Sequence, residues 1–117
     1  MSDRDGGPVS GGPGGAAGHR IRILLHCRAP AEGMTPIEDA YHEISKTLDG
    51  TPGLLGNELL HSLIEDDAFV VMSEWESVEA FRSWDEGPDH KDQTAGLRPY
   101  QDSTRRPWDM YVVRASY

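Results

Sequence analysis

Little in this chain would hold it together covalently or anchor it to anything. A single cysteine, Cys27, among 117 residues rules out an internal disulfide and fits a reducing cytoplasm. No apolar run approaches the roughly 20 residues needed to span a membrane. The N-terminus lacks the apolar core of a signal peptide, so neither a membrane nor a secretory role is expected. Positive charge is scarce: 11 Lys and Arg stand against 20 Asp and Glu, a net charge of −9. So acidic a surface repels phosphate backbones and anionic headgroups, which argues against nucleic acid and membranes as partners. A solubilising surface is the simplest role for the charge. The histidines are His19, His26, His42, His61 and His90, and none falls in an H-x-H, H-x-x-E-H or H-E-x-x-H spacing. A metal site would have to assemble across strands, for instance from His26 and His61, and none is expected.

Large apolar side chains are nearly missing from residues 1–18, which hold seven of the 13 glycines. Such a segment cannot bury enough surface to offset its ordering entropy, so it reads as a flexible tail. Residues 19–117 then form one domain, enough for a sheet and two helices.

What is present is strong periodicity. Residues 20–27 alternate as a strand, with Ile21, Ile23, Leu25 and Cys27 on one face and Arg22, Leu24 and His26 on the other. Thr35-Pro36-Ile37-Glu38 reads as a helix start, with Thr35 as cap and Glu38 closing a capping box. Ile37, Tyr41, Ile44 and Leu48 form one apolar stripe, and Gly50 and Pro52 end the helix. Residues 54–64 form a second strand, with Leu55, Asn57, Leu59, His61 and Leu63 on one face and Leu54, Gly56, Glu58, Leu60 and Ser62 on the other. Gly56 marks a bulge or a close backbone approach. Glu65-Asp66-Asp67 turns this strand into a third. From Ala68 to Trp84 the period changes from two to 3.6: Phe69, Val71, Ser73 and Trp75 share a strand face, Ser77 caps, and Val78, Phe81 and Trp84 follow helical spacing. Residues 85–107 are polar and rich in breakers, with a helical turn expected between Asp89 and Leu97. A final strand is expected over 108–115.

The order β-α-β-β-α-β is the ferredoxin-like arrangement, an α+β fold in which an antiparallel four-stranded sheet carries both helices on one face. The other face would then present Leu24, Leu54, Leu60, Val70 and Met72. A second copy of the chain is expected to cover it, giving a homodimer packed through the sheets.

Two runs carry a family resemblance: Thr51-Pro52-Gly53-Leu54-Leu55-Gly56 ahead of the second strand, and Glu74-Trp75-Glu76-Ser77 followed by Ala80-Phe81. In this order they make residues 21–113 similar to the antibiotic biosynthesis monooxygenase-like proteins. The resemblance implies a dimeric α/β barrel with one ligand pocket per subunit, between sheet and helices. Some members oxidise aromatic polyketides to quinones with dioxygen and neither metal nor flavin; others bind and degrade haem. Trp75 matches the tryptophan of the quinone-forming members, but Val71 stands at their asparagine and Phe81 at their tyrosine. Trp84 matches a tryptophan of the haem-degrading members, but Thr94 stands at their histidine and Cys27 at their asparagine.

The resulting expectation is a small cofactor-independent monooxygenase acting on a polycyclic aromatic intermediate of antibiotic or secondary-metabolite biosynthesis. The alternative is a non-oxidative ligand-binding, cyclase or haem-binding dimer. Asn57, His61 and Trp75 are the catalytic candidates; Cys27, Phe81, Trp84 and His90 are the substrate-binding ones. Each has a plainer role open to it. Trp75, Phe81 and Trp84 also suit a core, Cys27 a buried inert thiol, and Asn57 and His61 a subunit interface. The charged stretch around Asp85, Glu86 and Asp89 reads as a solvated rim or as a lid bracketed by Gly87 and Gly96. Arg105 and Arg106 are free either to face solvent or to meet an anionic ligand.

Overall fold

The computed structural model describes residues 18–117, so all but the last residue of the expected tail lies outside it. The elements are β1 (Ile21–Arg28), α1 (Thr35–Leu48), β2 (Leu54–His61), β3 (Ala68–Trp75), α2 (Val78–Asp85), α3 (His90–Thr94) and β4 (Trp108–Val112), with a 3₁₀ turn over Ala95–Tyr100. The strands form one antiparallel sheet in the order β2-β3-β1-β4, the ferredoxin-like topology.

Alternation in β1 does what the pattern demands. Ile21, Ile23, Leu25 and Cys27 are all buried. They face Trp75, Ser73, Val71 and Phe69 across the β1–β3 ladder. Two apolar clusters fill the space between this face and the helices. One joins Leu25, Cys27 and Phe69 to Ile37, Ile44 and Leu48 of α1 and to Leu97 of the 3₁₀ turn. The other joins Ile21, Ile23 and Trp75 to Phe81 of α2. Ser77 caps α2 as expected, its hydroxyl accepting from the Ala80 N–H at 3.1 Å.

Four local expectations are corrected. Thr35 does not cap α1: Met34 holds the cap position in helical geometry, φ −87° and ψ −16°, with no side-chain cap. Thr35 is therefore already inside the first turn, and the capping box does not form. β2 stops at His61 rather than residue 64, because the Ser62 hydroxyl accepts from the N–H groups of Ile64 and Glu65, each at 3.0 Å, and turns the chain. Leu63 and Ile64 are left exposed. β4 stops at Val112, three residues short of the expected end.

The fourth correction bears on the site. The bulge that Gly56 signalled is present, between Leu54 and Gly56, so that Leu54 pairs with Trp75 while Gly56 pairs with Glu74. An extra residue reverses the alternation of a strand. Leu54 therefore packs inward against both clusters, and not on the outer face with Leu60. Leu55, in the bulge, is exposed.

Buried acids stitch the sheet's margins. Asp102 accepts from Thr104 and from Arg28, whose guanidinium also reaches Glu65 and Asp67. The hydroxyl and N–H of Thr104, with Arg28, hold the Asp102 carboxyl down to about 2 against the opposing effect of burial. Arg105 and Arg106 both bind Asp109, which also meets His26 Nε2 at 2.8 Å. These arginines are thus engaged within the fold rather than held ready for an anionic ligand.

Candidate functional site

Between the sheet and the helices lies a cavity of about 50 Å³. Its floor is the inner sheet face: Ile23 and Leu25 of β1, Asn57 of β2, Val71, Ser73 and Trp75 of β3, and Trp108 of β4. Its roof is Tyr41, Ser45 and Ile44 of α1, Phe81 and Trp84 of α2, and Thr94 and Leu97 beyond. The strand-to-helix handover at Ser77 brings the three aromatics together. Trp75 and Phe81 meet edge to face at 5.6 Å, and Trp75 and Trp84 lie 5.4 Å apart. Trp75 is almost wholly buried, its indole N–H donating to Ser73 Oγ at 2.9 Å.

Polar groups gather at one end. Asn57 and Ser73 are direct partners across the β2–β3 ladder. Ser45 donates to Asn57 Oδ1 at 3.1 Å, and the Tyr41 hydroxyl donates to the Asn57 carbonyl at 3.3 Å. An open groove of about 310 Å³ runs outside this end, between the C-terminal end of α1 and the start of β2. Groove and cavity share Ser45, Leu48 and Asn57, so the Ser45–Asn57 hydrogen bond stands between them.

Of the seven candidates, the cavity gathers Asn57, Trp75, Phe81 and Trp84. The other three lie apart from its lining. His61 is at the exposed end of β2, stacked on Phe69 with ring centroids 4.2 Å apart, its Nε2 against the Asp66 carbonyl at 2.6 Å. Cys27 is buried one layer away, packed with Ile37 and Leu97. Burial, helped by the charge of Asp102, pushes its thiol up to about 11, so it is neutral at pH 7 and a poor nucleophile. His90 packs edge-on against Trp84 at 4.5 Å, with Nε2 3.1 Å from Asp85. A metal-binding pair from His26 and His61 is excluded by the ladder. His26 pairs with Val70 and His61 with Phe69, residues on opposite faces of β3.

Tyr41, Ser45, Ser73 and Thr94 are cavity residues that the sequence reading missed. Ser45 sits four residues after Tyr41 on the same helical face, and Ser73 two residues before Trp75 on the same strand face; those spacings were the available signal. Gln93 was also missed. Its side chain accepts from Trp84 Nε1 at 2.7 Å and donates to the Thr47 carbonyl at 2.9 Å, fastening α3 to α1 and α2. The segment read as a solvated rim or a lid is therefore strapped down at its middle.

These features define a ferredoxin-like α+β domain with an aromatic-walled cavity between sheet and helices. The chain belongs to the antibiotic biosynthesis monooxygenase family, whose model matches residues 20–95. Among curated proteins it is 29% identical over 83 residues to protein SchA of Streptomyces halstedii, covering 71% of this chain and 22% of SchA. It is 32% identical over 59 residues to a mycobilin-producing heme oxygenase of Mycobacterium tuberculosis, covering 50% of this chain and 56% of that one. The chain thus spans only part of the curated relatives it matches. Among solved structures, SnoaB, a cofactor-independent oxygenase of Streptomyces nogalater, superposes with a TM-score of 0.69 at 16% identity, over 84% of this chain and 96% of SnoaB. A heme-degrading protein of M. tuberculosis gives 0.63 at 20% identity, over 84% and 98%. Likeness at these identities establishes the fold.

The residues present do not fit haem. An axial ligand is a His, Cys, Met or Tyr side chain aimed into the cavity. Among the described residues no His, Cys or Met lines it, and the Tyr41 hydroxyl is turned to the Asn57 carbonyl. Thr94 lines the cavity, and His90 is turned onto Asp85 and Trp84. Among the described residues no helix is long and apolar enough to cross a membrane, and no cluster of three His, Cys, Asp or Glu could hold a metal ion.

Proposed function

We propose that this chain is a cofactor-independent monooxygenase acting on a polycyclic aromatic, polyketide-type intermediate in antibiotic or secondary-metabolite biosynthesis, in the cytoplasm. The observation that carries the proposal is the cavity itself, with Trp75, Phe81 and Trp84 in its walls and Asn57 at its polar end. The net change would be a ring methylene plus dioxygen giving a ring carbonyl plus water. The electrons come from the deprotonated substrate, so the protein's part is to bind, desolvate and favour the anion. Trp75 and Trp84 would stack on the ring system and Asn57 would hold its oxygen. With His61 and His90 outside the lining, neither is given a step.

A cavity of about 50 Å³ holds no polycyclic ligand. Small-molecule sites run to roughly 300–1,000 Å³. Binding must therefore widen the gap between the roof helices and the sheet floor. Purified protein given a panel of anthrones is expected to take up oxygen and form the ring carbonyl without added metal. Uptake no greater than buffer across the panel would sink the proposal.

A second reading, non-oxidative binding or cyclisation, is favoured by one observation. Val71 and Phe81 bring no polar group to the lining where oxidising relatives of this fold are expected to carry one. Ligand-dependent quenching of tryptophan fluorescence with no oxygen uptake would select it.

A homodimer through the outer sheet face is part of the same proposal. Leu24, Val70 and Met72 lie there partly buried beside the exposed Leu60 and Tyr111. Sedimentation equilibrium is expected to give twice the chain mass; a monomer at every micromolar concentration would remove the dimer.

A further inference from the structure

We infer that Asn57 and Ser73 together form a two-donor subsite for one acceptor oxygen, so that the cavity selects an aromatic ligand carrying a phenolate or ring carbonyl oxygen. The inference rests on the reading that the cavity takes an aromatic ligand and adds the polarity of its recognition.

Counting donors and acceptors leaves three protons over, two on the Asn57 amide and one on the Ser73 hydroxyl. A primary amide offers one acceptor oxygen and two N–H donors. Ser45 already donates to the Asn57 oxygen at 3.1 Å, which turns the Nδ2 donors away from Ser45. A hydroxyl offers one proton and two lone pairs. Ser73 already accepts from the Trp75 indole N–H at 2.9 Å, so its own proton remains to be given. Among the described residues, neither the Asn57 Nδ2 donors nor the Ser73 hydroxyl proton has an acceptor.

The two groups are also placed to act together. Asn57 and Ser73 are opposed across the β2–β3 ladder and both line the cavity. Directly opposed residues on antiparallel strands carry Cβ atoms roughly 5 Å apart, so one oxygen can reach both donors. Apart from this end and Thr94, the lining is largely aromatic and aliphatic. A ligand oxygen placed elsewhere would lose its hydrogen bonds to water. A hydrogen bond to an ionised acceptor is roughly twice as strong as a neutral one, so the pair favours the phenolate over the phenol. Ser45 and Trp75 act as positioning residues: each engages its partner's acceptor and leaves that partner's donor free for the ligand.

The test uses the full chain with 1-hydroxyanthraquinone, whose visible absorbance reports ionisation, and anthracene, which has no oxygen. Bound hydroxyanthraquinone is expected to ionise about one pH unit lower than free, a tenfold preference for the anion. Asn57→Leu is expected to abolish that shift and weaken phenolate binding about tenfold, with anthracene binding unchanged. Ser73→Ala removes one donor and almost no volume, and with it the acceptor of the Trp75 indole N–H; it is expected to halve the shift, and it serves should Asn57→Leu not fold. Hydroxyanthraquinone that binds with its ionisation unmoved or raised, while anthracene also binds, overturns the donor pair and leaves the aromatic cavity standing. Binding of neither compound overturns both.

Discussion

Replacing Trp75 by alanine is expected to cost about 3–5 kcal/mol of folding stability, the range for removing a fully buried large aromatic side chain. Trp75 is 1% exposed and joins Ile21, Ile23 and Phe81 in one cluster while touching Trp84. It is the side chain through which α2 grips the sheet, so few neighbours are free to close over its absence. Trp75→Phe keeps a ring in place but loses the bond to Ser73, and is expected to cost less than half as much. The alanine variant leaves an apolar hole of indole shape, and such holes stay dry and accept apolar guests. Indole at millimolar concentration is therefore expected to raise the melting temperature of Trp75→Ala by more than that of the wild type, by mass action on the folded state. Urea denaturation reads the loss. A variant within about 1 kcal/mol of wild type would show that the indole contributes little to the core, below even the usual range for buried truncations.

The second large effect is expected at Gly53. Its φ is +82°, and a Cβ there would run into Ala80 Cβ and lie 3.4 Å from Glu76 Cγ. Left-handed geometry costs a residue with a Cβ about 1–2 kcal/mol, and overpacking about 1–3, so Gly53→Ala is expected to lose about 2–5 kcal/mol. Gly50 provides the control. It has the same φ of +82°, and a methyl group there would meet nothing within 4 Å, so Gly50→Ala carries the backbone strain alone. The excess of one variant over the other measures the contact between the turn before β2 and the first turn of α2. That turn also accepts from the Glu76 N–H at 2.8 Å, which fixes where α2 begins and hence where Phe81 and Trp84 stand. Equal losses at the two glycines would show that α2 shifts freely, and that the aromatic wall is not set by this contact.

Both effects concern the stretch most legible in sequence. Phe69, Val71, Ser73 and Trp75 share the inner face, Ser77 caps, and Phe81 and Trp84 turn inward, as their periods require. Legibility fell where two segments compete for one backbone. Ser62 could continue β2 or capture the turn, and its hydroxyl bonds to Ile64 and Glu65 won. Thr35 had the right partners for a capping box but lies one residue inside the helix, where it cannot use them. The candidate site was half legible. Asn57 reached the cavity with the three aromatics, while His61, Cys27 and His90 did not, and Ser45 and Ser73 carried no chemistry conspicuous enough to draw notice.

By itself the sequence determined the order of the elements, the inward face of β1 and β3, the apolar stripe of α1 and the family to which the chain belongs. The first three follow from periods of 2.0 and 3.6, which each segment carries alone. Only the tertiary structure decided that a bulge sends Leu54 inward, that Ser45 and Asn57 meet, and that the cavity closes to about 50 Å³. A period states which way a side chain points from its own element. Which side chains then converge, and how tightly, depends on the register and spacing between elements, set by the packing of all of them at once.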